Sequence, residues 1–420
     1  MPRALLIATT TGYQTRAFGE AAKALGIELV LATDRCDQLD DPWRDNAVPV
    51  RFHDEARSLA AVEKRAQRQP IDGVLGVGDR PALFAAMAAA RLGVAGHPPA
   101  AVRVCGSKLQ TRHRLKAAGL PYPSFCELPG DTELDGLLDK IRFPCVVKPL
   151  ALSASRGVIR ADDPMQLRAA VSRVRRLLAR GDIRERREPS DTLLLVESFI
   201  PGREYALEGV MEDGALRVLA LFDKPDPLDG PFFEETIYVT PSAETDARQD
   251  RIIEAVTEAA VALGLHHGPV HAECRVNERG VFVLEIAARP IGGLCARALT
   301  FRGLGDQRVS LEALLLRHAV GESILEYRLV SGASGVMMIP IPRAGTYRRV
   351  DGVSTALDVP GVVDVVITAK PDQRLESLPE GASYLGFIFT RADEPADAVR
   401  ALRHAHDQLH VVIDAPIPLA

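Results

Sequence analysis

The chain has 420 residues, 47% of them hydrophobic and 25% charged, with a formal net charge of −5. That is length for roughly two or three domains with sizeable cores, and the mild negative charge gives no general reason to bind nucleic acid or an anionic membrane. Six scattered cysteines with no CxxC pair suggest neither a zinc site nor a disulfide framework and fit a reducing cytoplasm. The apolar run Ala4–Ala8 soon gives way to polar Thr9–Thr11, so a secretory leader is not expected. No stretch is long and apolar enough to span a membrane.

The first hundred residues alternate strand and helix. Ala4–Thr10, Ile27–Thr33 and Asp72–Gly78 read as buried parallel strands, and Arg16–Leu25, Asp54–Arg68 and Pro81–Arg91 as helices. This is the pattern of an open, doubly wound α/β sheet. The first turn, TTTGYQT, lacks the dinucleotide glycine fingerprint, so Asp34 reads as a loop acid. Ser107 caps a basic helix, Lys108–Ala118, ended by Gly119. Residues 143–208 read mainly as strands around a helix at Pro164–Arg180. The arginine run over 173–187 is mixed with acids and reads as a solvated helix face and loop. Long helices are expected at Ala243–Leu263 and Leu311–Val320. A last unit has strands near Val336–Ile341, Val362–Thr368, Tyr384–Thr390 and Val411–Ile413, with a helix at Pro395–Leu409.

Several stretches carry chemistry. In FPCVVKPL an apolar strand ends in Lys148; a lone lysine there would ordinarily snorkel to water. Ser153–Gly157, SASRG, has the small hydroxyl residues and glycine that fold over phosphates, and also suits an ordinary hairpin. Leu193–Val210 reads as strand, turn and strand, with Glu204, Ala206, Glu208 and Val210 on one face. His271–Gly293 reads as a hairpin, Ala272–Val276 and Val281–Ala287, with a turn at Asn277–Gly280. Glu273 and Glu285 sit one on each strand, and a suitable register brings them to one face. Glu285 lies among apolar neighbours, where a charge is costly unless paired or holding a metal. Arg289 and the pair Gly292-Gly293 follow. Two carboxylates, an arginine and a glycine turn suit magnesium and a transferring phosphate.

In this order, SKLQTRHRLKAAGLPYP, VVKP, SASRG, VESFIPGREY and HAEC…LEIAARP, the chain resembles the ATP-grasp superfamily. The resemblance implies an N-terminal α/β domain over 1–106, an ATP-grasp domain over 107–325 with a lid near 121–200, and a lid-like C-terminal domain over 326–420. It implies that Lys108 and Lys148 contact ATP phosphates and that Ser153, Ser155 and Gly157 cover them. Glu197, Ser198, Phe199 and Ile200 would meet adenine, and Glu204 the ribose. Glu273 and Glu285 would hold Mg²⁺, with Mn²⁺ as the alternative, and Arg289 would steady the transferred phosphoryl group. Ala287 stands where many members have a metal-ligating Asn, which puts the second metal in doubt.

Within the superfamily, ARPIGGLCARAL and the carboxyl-terminal stretch are similar to L-amino-acid ligases. That implies an ADP-forming carboxylate–amine ligase acting on small molecules, with Gly292 and Gly293 in the substrate-carboxylate loop. Phe232 and Phe233 are expected to pack a substrate side chain, Glu234 or Glu235 to meet its ammonium group, and His271 to share the face of Glu273. A homodimer is left open. The alternatives are a bicarbonate-using carboxylase of the aminoimidazole ribonucleotide type and a non-catalytic ATP-binding sensor.

Overall fold

Continuous apolar runs become buried strands at the start of the chain. The computed structural model describes residues 1–9, 14–34, 47–129, 134–150, 152–184 and 193–415; most of the first turn and the polar loop after Arg184 lie outside them. Strands Arg3–Ala8, Glu28–Thr33, Gly73–Val77 and the short Val48–Pro49 form a parallel sheet, with Arg3–Ala8 between Glu28–Thr33 and Gly73–Val77. Helix Asp79–Leu92 packs its buried alanines against it. A Cβ at Gly76 would lie 2.7 Å from Ala82 Cα, so the glycine lets helix and strand meet closely. Ser107 caps helix Lys108–Ala117 by accepting the Gln110 N–H.

Two further sheets enclose the site. The smaller has the order Phe125–Leu128, Leu194–Ser198, Cys145–Pro149, Ile159–Ala161, and is antiparallel. Helix Pro164–Leu178 covers it with Leu167, Val171 and Val174. The larger begins with Gly280–Ala287, Gly268–Asn277, Arg203–Glu212, Ala215–Lys224 and Ile237–Thr240. It continues through Ala333–Ile339, Gly386–Ala392 and Val362–Ile367. The segment expected as a separate C-terminal unit therefore extends the central sheet. Helix Asp246–Leu263 packs on that sheet through Ile252, Val256 and Leu263. Among the described residues, no helix is long and apolar enough to cross a membrane.

Candidate active site

A cleft of about 400 Å³ runs between the two sheets and reaches the N-terminal domain. One end is apolar. Val146, Leu228 and Phe233 cluster there with Val158 and Phe199. Beside them, Lys148 Nζ meets Glu197 at 2.7 Å and Arg112 Nε donates to Glu197 at 2.5 Å. Burial alone would raise the Glu197 pKa, but Arg112 and Lys148 outweigh it and hold it down at about 2. The carboxylate expected at adenine is thus an anchor for Lys148. The Ser198 N–H donates to Ser124 O at 2.8 Å and the Phe199 N–H to Pro144 O at 2.9 Å.

The middle of the cleft is set by strand register. Glu204 pairs across the ladders with Lys224 on one side and Arg275 on the other. Lys224 Nζ donates to Glu204 at 2.8 Å, Glu235 at 2.7 Å and Glu273 at 3.0 Å. Arg275 Nε donates to Glu204 at 2.9 Å. Burial would lower the Lys224 pKa, but the three carboxylates raise it well above the usual lysine range. Burial and the neighbouring Glu273 push Glu235 up, while Lys224 and His271 hold Glu273 down against burial. Glu204, Glu235 and Glu273 offer oxygens within 4.8 Å of one another. That is an oxygen-only donor set of the kind a hard cation takes, and here the Lys224 ammonium sits among the three, 2.7 to 3.0 Å from each. Glu285 is the register partner of Glu273, and a bulge follows Glu273. Both line the cleft.

The far end belongs to the Arg289–Gly293 loop. Arg289 Nε donates to Asp79 of the N-terminal domain at 2.5 Å and Nη1 to Pro290 O at 3.0 Å. Lys108 Nζ reaches across to Leu152 O at 2.8 Å. His271 Nδ1 meets Glu208 at 2.6 Å and Nε2 lies 3.6 Å from Glu273. Burial would lower the His271 pKa, yet Glu208 and Glu273 raise it to about 9. Cys295, Met338 and Tyr384 give this end apolar walls.

The structure thus brings Lys108, Lys148, Ser153, Ser155, Glu197–Ile200, Glu204, Glu235, His271, Glu273, Glu285, Arg289, Gly292 and Gly293 to one cleft. Gly157 and Glu234 do not line it. Gly157 donates its N–H to Pro379 O at 2.8 Å, closing the serine loop onto the C-terminal segment. Glu234 faces a separate small depression with Ala154, Ile341 and Tyr384. The aromatic pair also falls elsewhere than expected. Phe232 packs on the core beneath the smaller sheet with Arg173 Cζ 5.1 Å from its ring centroid, and Phe233 belongs to the apolar end of the cleft. Sequence reasoning missed Lys224, Asp79, Gln14, Tyr238 and Tyr384. Only Lys224 had a local signal, as a cation ending the apolar run LALF.

The ATP-grasp domain family matches residues 141–298, the ATP-grasp N-terminal domain 19–96, and the L-amino acid ligase C-terminal domain 2 residues 337–414. The chain belongs to the ATP-grasp superfamily and is an enzyme of its ligase type. Within that class it resembles the L-amino-acid ligases. An L-amino acid ligase from Bacillus licheniformis superposes with a TM-score of 0.82 at 27% identity, covering 99% of both chains. An uncharacterised protein of Sinorhizobium fredii is 24% identical over 97% of this chain and 83% of its own length. Carnosine synthase 1 of Mus musculus is 26% identical over 70% of this chain, which spans 37% of that relative.

Proposed function

We propose that the protein is an ATP-dependent carboxylate–amine ligase that forms an amide through an acyl phosphate, releasing ADP and phosphate. One observation carries this reading. The cleft is continuous from an apolar slot, past two lysines and a carboxylate cluster, to an arginine–glycine loop walled by Cys295, Met338 and Tyr384. The slot takes adenine between Val146, Leu228 and Phe233, with Lys148 fixed at its edge by Glu197. Glu204, already held by Lys224 and Arg275, keeps free acceptor capacity for ribose hydroxyls. Lys108 and the Ser153–Ser155 loop approach the phosphates.

Glu273 and Glu285, register partners across the hairpin and both lining the cleft, would hold a divalent cation. When bound, Mg²⁺ would offset the charge of the phosphates. Lys224 donates to Glu273 as well as to Glu204 and Glu235 and offsets part of their charge. Ala287 provides no metal ligand, so the set is poorer than in relatives with Asn there.

The acid substrate's carboxylate lies against Arg289 and the Gly292-Gly293 turn and attacks the γ-phosphorus. Arg289 spreads the charge that develops. An amine then displaces phosphate from the acyl carbon. Glu235, placed beside Tyr238, suits an amino acid's ammonium group. The serine loop, closed onto the C-terminal segment, shields the acyl phosphate from water.

The carboxylase alternative is less well supported. Bicarbonate has no side chain to fill the apolar far end, and residues 337–414 match an amino-acid-ligase domain. A non-catalytic sensor would have no use for both hairpin carboxylates and Arg289 together. The test is phosphate release from ATP over pairs of amino acids. Release should rise with particular pairs and be indifferent to bicarbonate. Filling the turn tests the acid-substrate side best at Gly292, because an added Cβ there meets nothing within 4 Å. At Gly293 it would meet the Phe387 ring at 3.1 Å with φ at +60°, which disturbs the loop itself.

A further inference from the structure

We propose that Arg112 is a positioning residue: it holds the bulge that turns Glu285 into the cleft and ties that bulge to the Glu197–Lys148 pair. The metal role of Glu285 rests on the ligase reading. Side chains alternate faces along a regular strand. On strand Gly280–Ala287, the core beneath helix Asp246–Leu263 takes Val281 and Val283, but then Ile286. Odd positions give way to even ones in mid-strand. An unbroken strand would send residue 285 to the core face with Val281 and Val283. The ladder shows what intervenes. Glu273 pairs with Glu285, but Cys274 pairs with Val283, so Leu284 has no partner opposite it. Leu284 is the extra residue of a bulge. Leu284 and Glu285, although adjacent, both line the cleft.

Strand Gly280–Ala287 is the edge of its sheet among the described residues, so strand pairing holds it from one side. Arg112 holds the bulge from elsewhere. It lies on helix Lys108–Ala117 and is 1% exposed. Its Nη2 donates to Leu284 O at 2.7 Å. Through Nε the same guanidinium donates to Glu197 Oε1 at 2.5 Å, and Glu197 meets Lys148 Nζ at 2.7 Å. A buried guanidinium needs such partners, and its planar fork serves both at fixed angles. One side chain thereby joins its helix to both sheets that enclose the cleft. The carbonyl before Glu285 and the anchor of Lys148 share it.

Arg112→Lys tests this, because it keeps a positive charge beside Glu197 but has no fork to reach Leu284 O as well. Amide hydrogen exchange in free wild type and variant reads the bulge without metal or nucleotide. Exchange over Val283–Ile286 should speed up by about tenfold or more, the scale of a lost hydrogen bond to a charged group. Strand Arg203–Glu212 should keep its protection. In the ADP complex, Mn²⁺ affinity read by electron paramagnetic resonance should fall about tenfold, the usual loss when the support of a metal ligand is changed, while ADP affinity with metal chelated stays within about twofold. Unchanged exchange at the bulge, unchanged Mn²⁺ affinity, or ADP affinity falling in step with it overturns the proposal. If Arg112→Lys does not fold, nitrogen NMR of the wild type decides. The Arg112 guanidinium protons should resist rotation and exchange, and a freely rotating guanidinium overturns the proposal. A wild type that forms no amide from any amino-acid pair defeats the ligase reading instead, and the exchange data still decide the role of Arg112.

Discussion

Lys224→Met removes the cation at the centre of the cleft and leaves Glu204, Glu235 and Glu273 facing one another. Their oxygens lie within 4.8 Å. Two unit charges about 4 Å apart repel by about 4 kcal/mol at an effective dielectric of 20. Proton uptake and water entry relieve part of this, and removing one partner from a buried charged network costs about 3–5 kcal/mol. The variant should therefore unfold at clearly lower denaturant than wild type when metal is chelated. A divalent cation that binds only the folded form restores stability by RT ln(1 + [L]/Kd), about 2.7 kcal/mol at a hundredfold excess over Kd. Mg²⁺ should thus rescue the variant more than it helps wild type, where Lys224 already offsets part of the carboxylates' charge. Paired denaturant titrations with chelator and with Mg²⁺ measure this. A metal-free variant as stable as wild type, or one indifferent to Mg²⁺, would refute the reasoning.

Other outcomes follow from the same geometry. Glu285→Gln keeps the side-chain shape and removes a charge opposite Glu273; ATP turnover should fall about 10²-fold or more, measured as phosphate release at saturating Mg²⁺. Lys148→Met should weaken binding of an ATP analogue in calorimetry, and its effect should include the loss of a partner for buried Glu197. Acid should loosen the contact between the N-terminal and central domains. Burial lowers His97 and His318 to about 4. Between that value and the ordinary histidine range the unfolded chain binds more protons, so stability falls as pH drops from about 6.5 towards 4. The full cost is up to about 3 kcal/mol per histidine, and substituting His318 by Asn should flatten that part of the unfolding profile.

Much of this architecture is legible in the sequence because local pattern and tertiary role agree. The apolar runs at Ala4–Ala8 and Asp72–Gly78, the Ser107 cap and the helix beginning at Pro164 all form where their patterns place them. The hairpin bearing Glu273 and Glu285 forms too, with longer strands than expected, since its sheet partners extend the pairing on one side. Other features depend on contacts between distant segments. Gln14 meets Ile291 across 277 positions, and nothing local marks either residue. Glu208 reads as one more acid on an alternating strand until the ladder places His271 opposite it. Phe232 and Phe233 look equivalent, but in the irregular segment before strand Ile237–Thr240 neighbouring side chains go to different cores. Glu234 and Glu235 part for the same reason, and only Glu235 reaches the cleft. The sheet continuing through Ala333–Ile339 is also invisible locally, because strand pairing between units leaves no periodic signature.

The most direct test of the central claim is the mass of the product made from ATP, Mg²⁺ and an amino-acid pair that stimulates phosphate release. The account predicts a compound equal to both substrates less one water, formed in step with ADP and with no requirement for bicarbonate. Turnover that depends on bicarbonate and aminoimidazole ribonucleotide, with no amide from any amino-acid pair, would contradict it.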